Sequence, residues 1–262
     1  MKSAIICEGT TDLTLIQYFL EKVYNWEFIK NSDCKKTDTK IINNFAEAQN
    51  SKWFKHTNGS LLCIISAGGV SKIPNMLEKV LELNKLGSID KYKRIVIISD
   101  RDEVNLEQEI FKLIDAKFIE GNISLGKTSE NNVWNKMTYI DDLQEDGVLC
   151  FLPLIIPFED AGAIETFLLN ALCEASEKDD PLKIDKHVIG ECITFIDSLD
   201  CNDKYLRHRR EKTKAKFDTS FAVMTPAEAF SQRQTLLRSV PWEQYETIQN
   251  GFKQLSKLLE EL

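Results

Sequence analysis

The chain has no run of about 18 apolar residues, the length a membrane-spanning helix needs, so no span is expected. None of its seven cysteines (Cys7, Cys34, Cys63, Cys150, Cys173, Cys192 and Cys201) forms a C-x-x-C pair. Its three histidines, His56, His187 and His208, are scattered. Both facts argue against a zinc site. The odd cysteine count and the missing signal peptide predict a reducing, cytoplasmic setting. Cys7, Cys63, Cys150 and Cys173 lie in apolar runs, where cysteine acts as a small hydrophobe. There is no G-x-S-x-G and no motif-like histidine, so Ser/His/Asp or Cys/His catalysis has no support. Positive charge is also short. There are 33 Lys and Arg against 41 Asp and Glu, a net charge of −8. Such a chain binds nucleic acid only through a local basic patch or through metals that mask its carboxylates. No internal repeat or low-complexity tract is present.

What is present is enough for a core: 262 residues, 43% of them hydrophobic, room for one large domain with an appendage. Ala4–Cys7, Leu61–Ser66 and Arg94–Ser99 are continuous apolar runs. A helical stripe follows each: Leu13, Ile16, Phe19, Leu20 and Val23 after the first, Ile73, Leu77, Val80, Leu81 and Leu83 after the second, and Ile110, Leu113 and Ile114 after the third. Buried strands alternating with helices predict a mainly parallel α/β sheet. Thr10 or Thr11 is the expected cap of the first helix, with Asp12 in its first turn. Residues 25–60 read as mostly loop with a helix near Ile41–Trp53. Val133–Ile140 and Val148–Ile156 read as a hairpin, followed by a helix over Ala163–Leu172. From His187 onward the pattern is helical, in roughly four segments. Asp179-Asp180-Pro181 marks the expected boundary between an α/β domain (1–178) and a helical C-terminal extension packed on it (179–262).

The first strand stops on a carboxylate, Glu8, in EGTTD. The third stops on Asp100-Arg101-Asp102. Ligands of open α/β sheets bind at the carboxyl ends of the strands. Two residues apart on an extended chain, Asp100 and Asp102 face the same way. If the first and third strands are neighbours, Glu8, Asp100 and Asp102 converge. Crowded carboxylates raise one another's pKa unless a cation holds them, and an all-oxygen set suits Mg²⁺ or Mn²⁺. The competing reading is structural: a strand-end Asp is often a helix cap, and Asp102 is placed to cap a helix beginning near Glu103. Glu8 fits that reading poorly, because Glu is not a favoured cap.

EGTTD with the later Asp-x-Asp of SDRD resembles the Toprim domain. That family includes topoisomerases, bacterial primases, the overcoming-lysogenization-defect (OLD) nucleases and small ribosomal-RNA-maturing ribonucleases. The resemblance is closest to OLD-type and stand-alone Toprim proteins and covers about residues 1–225. It implies a Rossmann-like, Toprim-like sheet, Mg²⁺ at Glu8, Asp100 and Asp102, and phosphoryl transfer on nucleic acid. IPFEDAGAIETFLL is similar to the Gly-x-Leu-Glu stretch of the nuclease branch and offers Glu165 as a further metal ligand. By itself, a Glu at a helix start is more often a dipole complement. EKTKAKF is similar to that branch's lysine-bearing helix and offers Lys214 or Lys216; Lys214 is the expected catalytic lysine. The sequence holds no OLD-type ATPase domain, no primase zinc module, and no room for a topoisomerase's further domains.

YLRHRREKTKAK carries Arg207, Arg209, Arg210, Lys212, Lys214 and Lys216 against one Glu211. Arg207, Arg209, Arg210, Lys212 and Lys216 are therefore the expected nucleic-acid contacts, against the plainer reading of a solvated helix face. Ser66-Ala67-Gly68-Gly69 is either an anion-binding turn or simply a tight turn. It lacks a following Gly-Lys-Ser/Thr. Trp26, Trp53, Trp134 and Trp242 are dispersed and read as packing residues. The sequence thus predicts Mg²⁺- or Mn²⁺-dependent phosphodiester hydrolysis of DNA or RNA. The alternatives are a non-catalytic metal- and nucleic-acid-binding module serving a separately encoded ATPase, or a nucleotide phosphotransferase.

Overall fold

Four apolar segments lie side by side in the middle of the sheet because both of their faces are covered by helices. The structure, a computed structural model, describes residues 1–30, 50–86, 90–102, 106–126, 128–158, 161–174, 185–199, 205–225 and 233–261. Its strands are β1 (Lys2–Cys7), β2 (Glu27–Ile29), β3 (Asn50–Lys55), β4 (Leu61–Ser66), β5 (Tyr92–Asp100), β6 (Ser124–Leu125), β7 (Asn135–Ile140) and β8 (Asp146–Ile156). They form one eight-stranded sheet in the order β2-β3-β4-β1-β5-β8-β7-β6. The inner pairs β4/β1, β1/β5 and β5/β8 are parallel. The flanking pairs β2/β3, β3/β4, β7/β8 and β6/β7 are antiparallel. The expected α/β class and the hairpin of β7 and β8 are present, but the sheet is mixed, parallel only in its middle, rather than mainly parallel.

The described helices are α1 (Thr10–Tyr18, continued by a π-helical turn over Phe19–Val23), α2 (Ile73–Lys85), α3 (Leu106–Glu120), α4 (Ile164–Glu174), α5 (Lys186–Ser198), α6 (Arg209–Met224), α7 (Arg233–Ser239), α8 (Glu246–Gly251) and α9 (Lys253–Glu261). Side chains alternate across each strand, so the sheet has two cores. Ala4 and Ile6 pack with α2 and α3 residues such as Leu77, Ile114 and Phe118. Ile5 and Cys7 pack with Leu15 of α1, Leu168 of α4, Phe217 and Phe221 of α6, and Trp242. The helical extension therefore has no separate core. It covers one face of the sheet.

Several expectations change. Residues 50–53 are strand, not helix; residues 41–49 and the boundary at 179–181 lie outside the described residues. Trp53 and Phe54 of β3 are both buried, one in each core, which hides the two-residue alternation that marks a strand. From Lys186 onward five α-helices are described, against the roughly four expected. The N-cap of α1 is Gly9, not Thr10 or Thr11. Trp26, Trp53 and Trp242 are buried, and Trp134 packs against the core with its indole N–H donating to the Gln254 carbonyl at 3.1 Å. Among the described residues no helix is long and apolar enough to cross a membrane.

The chain leaves β1 toward β4 on one side and leaves β5 toward β8 on the other. The carboxyl ends of β1 and β5 therefore flank a switch point, where open α/β sheets leave a crevice.

A candidate acidic centre

Glu8 and Asp100 sit at those two strand ends. Cys7 pairs with Ile98 in register, and the Glu8 N–H donates to the Ile98 carbonyl at 3.0 Å. This extra rung turns the Glu8 side chain toward β5. Its Oε2 accepts from Ser99 Oγ at 3.1 Å and from the Asp100 N–H at 3.2 Å. Asp100 Oδ1 accepts the Ile164 N–H at 2.8 Å. Asp100 therefore does act as a helix-start acceptor, as the structural reading required, but for α4, which is distant in sequence. Its other oxygen remains directed at the centre.

Two further acids complete the cluster. Asp12 lies in the first turn of α1, and its Oδ2 accepts the Gly9 N–H at 2.8 Å. That reciprocal contact folds the side chain back beside Glu8. Glu165 lies in the first turn of α4. Glu8, Asp12, Asp100 and Glu165 are all at most 5% exposed. Burial, and then the charges of Glu8 and Glu165, push Asp12 up to about 7, against the Gly9 hydrogen bond and Arg210, which lower it. Burial also drives Asp100 well above the usual carboxylate range, reinforced by Asp12, Glu8 and Glu165. The charges that raise Asp12 and Asp100 come from within the cluster, so the four carboxylates share one electrostatic environment.

Among the described residues the cation paired with the cluster is Arg210, in the first turn of α6. Its Nη1 lies 2.8 Å from Glu8 Oε1, and its Nη2 lies 3.8 Å from Asp100 Oδ2. Burial works against its charge, but Glu8, Asp100 and Asp102 outweigh this and raise its pKa. Asp102 stands differently from the expectation. β5 ends at Asp100, and Asp102 has φ 48°, so the alternation of an extended strand does not continue to it. Its N–H donates to the Gly162 carbonyl at 2.7 Å. Whether Asp102 caps a helix from Glu103 falls outside the described residues.

Helical periodicity divides the basic segment. Arg210, Lys214, Phe217 and Phe221 share the face of α6 that turns toward the sheet. Lys214 thus lies one turn beyond Arg210, half-buried. Arg209, Lys212, Thr213 and Lys216 share another face and line a cleft of about 350 Å³ with Asn170 and Asp197. There Lys216 pairs with Asp197 at 2.8 Å, and Arg209 donates to the Ala161 carbonyl at 2.9 Å. Arg207 is exposed. The Gly68 and Gly69 N–H groups both donate to the Glu8 carbonyl at 3.0 Å. They are therefore committed to the backbone of the centre, and the turn is not an anion cradle.

Gly121–Thr128 spells G-x-x-x-x-G-K-T. A phosphate-binding loop needs a strand before it and a helix after it. This stretch follows α3 and has β6 running through it, paired with Met137 and Thr138. It lacks the strand-loop-helix context of the motif.

An all-oxygen, buried, under-neutralised donor set has the chemistry of a Mg²⁺ or Mn²⁺ site. The Arg210 guanidinium stands between two of these carboxylates, Glu8 and Asp100. Among the described residues no group of three or more His, Cys, Asp or Glu is arranged to hold a metal. Asp12 and Arg210 are the two members not foreseen as such. The capping geometry at Gly9 and the shared face of Arg210, Phe217 and Phe221 are the sequence signals that point to them.

Comparison with known proteins agrees on the fold and is silent on chemistry. The model of a family described as "Protein of unknown function (DUF3226)" matches residues 2–257. No curated protein matches the chain. Among solved structures, the hypothetical protein PH0156 from Pyrococcus horikoshii OT3 is 17% identical, with a TM-score of 0.59, covering 99% of this chain and 98% of its own. That likeness shows the fold alone. A glyoxalase/dioxygenase from Nostoc punctiforme is 11% identical over 57% of this chain and 89% of its own, with a TM-score of 0.19 that carries no argument.

Proposed function

The chain belongs to the DUF3226 family, whose description assigns no activity, and we propose one from the site: metal-dependent phosphodiester hydrolysis of nucleic acid, of the Toprim/OLD type. One observation carries this reading. Four buried carboxylates, from the end of β1, α1, β5 and α4, gather at the switch point, with one guanidinium, Arg210, among them in the described residues. A fold that needed these acids only as caps gains nothing from crowding them.

In this reading Glu8, Asp100 and Glu165, with Asp12 and Asp102 beside them, hold Mg²⁺ or Mn²⁺. The bound ion supplies water activation and stabilises the leaving oxygen. Ser99 Oγ and the Asp100 N–H fix the Glu8 carboxylate, and the Ile164 N–H fixes Asp100. Lys214, on the inward face of α6, is the cation available to a phosphate that is gaining charge. Glu8 is the alternative general base.

The test is calorimetric titration of Mn²⁺ and Mg²⁺ into wild type and Asp100→Asn, followed by cleavage assays on single- and double-stranded DNA and RNA. Binding lost in the variant, together with cleavage lost, supports the hydrolase. Metal binding without cleavage of any substrate leaves the non-catalytic module, working with nucleic acid and a separate ATPase. Failure of the wild type to bind metal, with an oligonucleotide present, ends the reading.

The basic cleft favours a second reading, a nucleotide phosphotransferase. About 350 Å³ lined by Arg209, Lys212 and Lys216 suits a small phosphorylated ligand better than a long polyanion. Affinity falling steeply with salt indicates a polymer, and a shallow slope indicates a nucleotide.

A further inference from the structure

The position of Arg210 is costly in three ways. It lies in the first turn of α6, where the helix dipole disfavours a cation. Arg207 and Arg209 crowd the same helix start. Its guanidinium is partly withdrawn from water, with the side chain 39% exposed. What holds it there is the acidic centre: Glu8 at 2.8 Å, Asp100 at 3.8 Å, and Asp102 through its charge. The attachment is asymmetric. One nitrogen makes a close ion pair, while the other is beyond hydrogen-bond distance, so the planar fork is not used bidentately on either carboxylate. The same helix start that disfavours Arg210 favours an anion.

We propose that Arg210 is the resident counter-cation of the acidic centre, displaced when a divalent ion binds, and that the released guanidinium then grips the phosphate of the substrate. This rests on the metal reading above and gives Arg210, already an expected nucleic-acid contact, a second role as counter-cation that metal binding switches off. Glu8 and Asp100 cannot give the same oxygens fully to both cations, so metal and Arg210 compete. A freed guanidinium, already partly exposed, has its bidentate fork available, and phosphate is the ligand that fork matches.

The experiment titrates Mn²⁺ alone into full-length wild type, Arg210→Ala, Arg210→Gln and the distant surface control Lys112→Ala, with thermal unfolding recorded with and without the metal. Competition predicts Mn²⁺ binding about tenfold tighter in Arg210→Ala and Arg210→Gln than in wild type, as removing one unit charge at ion-pair distance implies. It also predicts a larger Mn²⁺-induced rise in Tm in the variants, with Lys112→Ala like wild type. A 5′-phosphorylated oligonucleotide, titrated with saturating Mg²⁺, should bind the Arg210 variants at least about tenfold more weakly. Arg210→Gln guards against a folding defect in Arg210→Ala. If wild type binds Mn²⁺ and both variants bind it equally or more weakly, the counter-cation role is wrong while the metal site stands. If metal binding tightens but oligonucleotide affinity is unchanged, the phosphate role is wrong. If no protein binds Mn²⁺, the metal reading itself fails and this inference with it.

Discussion

Arg210 Nη1 lies 2.8 Å from Glu8 Oε1, joining the start of a C-terminal helix to the end of the first strand. The basic segment is therefore not one solvated face. One of its arginines reaches into the acidic centre, while Arg209, Lys212 and Lys216 line a separate cleft. Both ends of the chain build the site, so damage to the extension should be felt at the centre.

Asp100 combines a structural and a chemical role that two substitutions can separate. Asp100→Asn keeps an acceptor for the Ile164 N–H and removes a charge from a crowded site. It should be neutral to slightly stabilising, by up to about 1 kcal/mol. Asp100→Ala also loses the acceptor and should be less stable than Asp100→Asn by about 1–2 kcal/mol. Both should lose Mn²⁺ binding. Urea unfolding and calorimetry on the pair check this; equal stabilities would remove the helix-docking role.

The raised pKa of Asp12 makes stability depend on pH in a defined direction. Its ordinary value is 3.8 and its folded value about 7. Between these values the folded chain holds a proton that the unfolded chain has released. The stabilisation is full below the unfolded pKa and disappears as pH rises through about 7. Metal-free wild type should lose Tm as pH rises from about 4 to about 7, with no further loss from this group above that. Asp12→Asn, which keeps an acceptor for Gly9, should flatten that profile. A slope unchanged in Asp12→Asn would assign the titration to another group.

Gly162 controls how α4 meets β5. Its φ is 157°, and a Cβ there would stand 2.6 Å from Thr166 Oγ1 and 3.0 Å from Thr166 Cβ. Its carbonyl also receives the Asp102 N–H. Gly162→Ala should cost about 1–3 kcal/mol and should weaken Mn²⁺ binding, because Glu165 and the Ile164 N–H shift with the helix start. Thr166→Ala in the same chain should restore part of the stability. Full tolerance of Gly162→Ala in denaturant unfolding would contradict the tight approach.

Trp242 tests whether the extension is a unit of its own. It is fully buried in the core that holds Ile5, Leu168 and Phe217, and its indole N–H donates to the Leu237 carbonyl at 2.6 Å. Trp242→Ala should cost about 3–5 kcal/mol and lower the single transition of the whole molecule. Two separated transitions, with only the later one weakened, would show that the extension unfolds independently.

The sequence by itself determined the repeating strand–helix pattern. Continuous apolar runs such as Ile95–Ile98 can be satisfied only by a strand covered on both faces, and stripes such as Ile73, Leu77 and Val80 only by an amphipathic helix. It also marked Glu8 and Asp100, because a charge that ends a buried strand is confined to the sheet's edge. β3 was hidden because Trp53 and Phe54 are each buried on opposite faces, which erases the alternation. The resemblance offered Glu165 as a ligand, but the adjacency of β1 and β5 and the convergence of Asp12, Glu165 and Arg210 on Glu8 and Asp100 were decided by tertiary structure. They are contacts between residues far apart in the chain, and they depend on strand order and on how α4 and α6 dock. A local pattern carries no record of either.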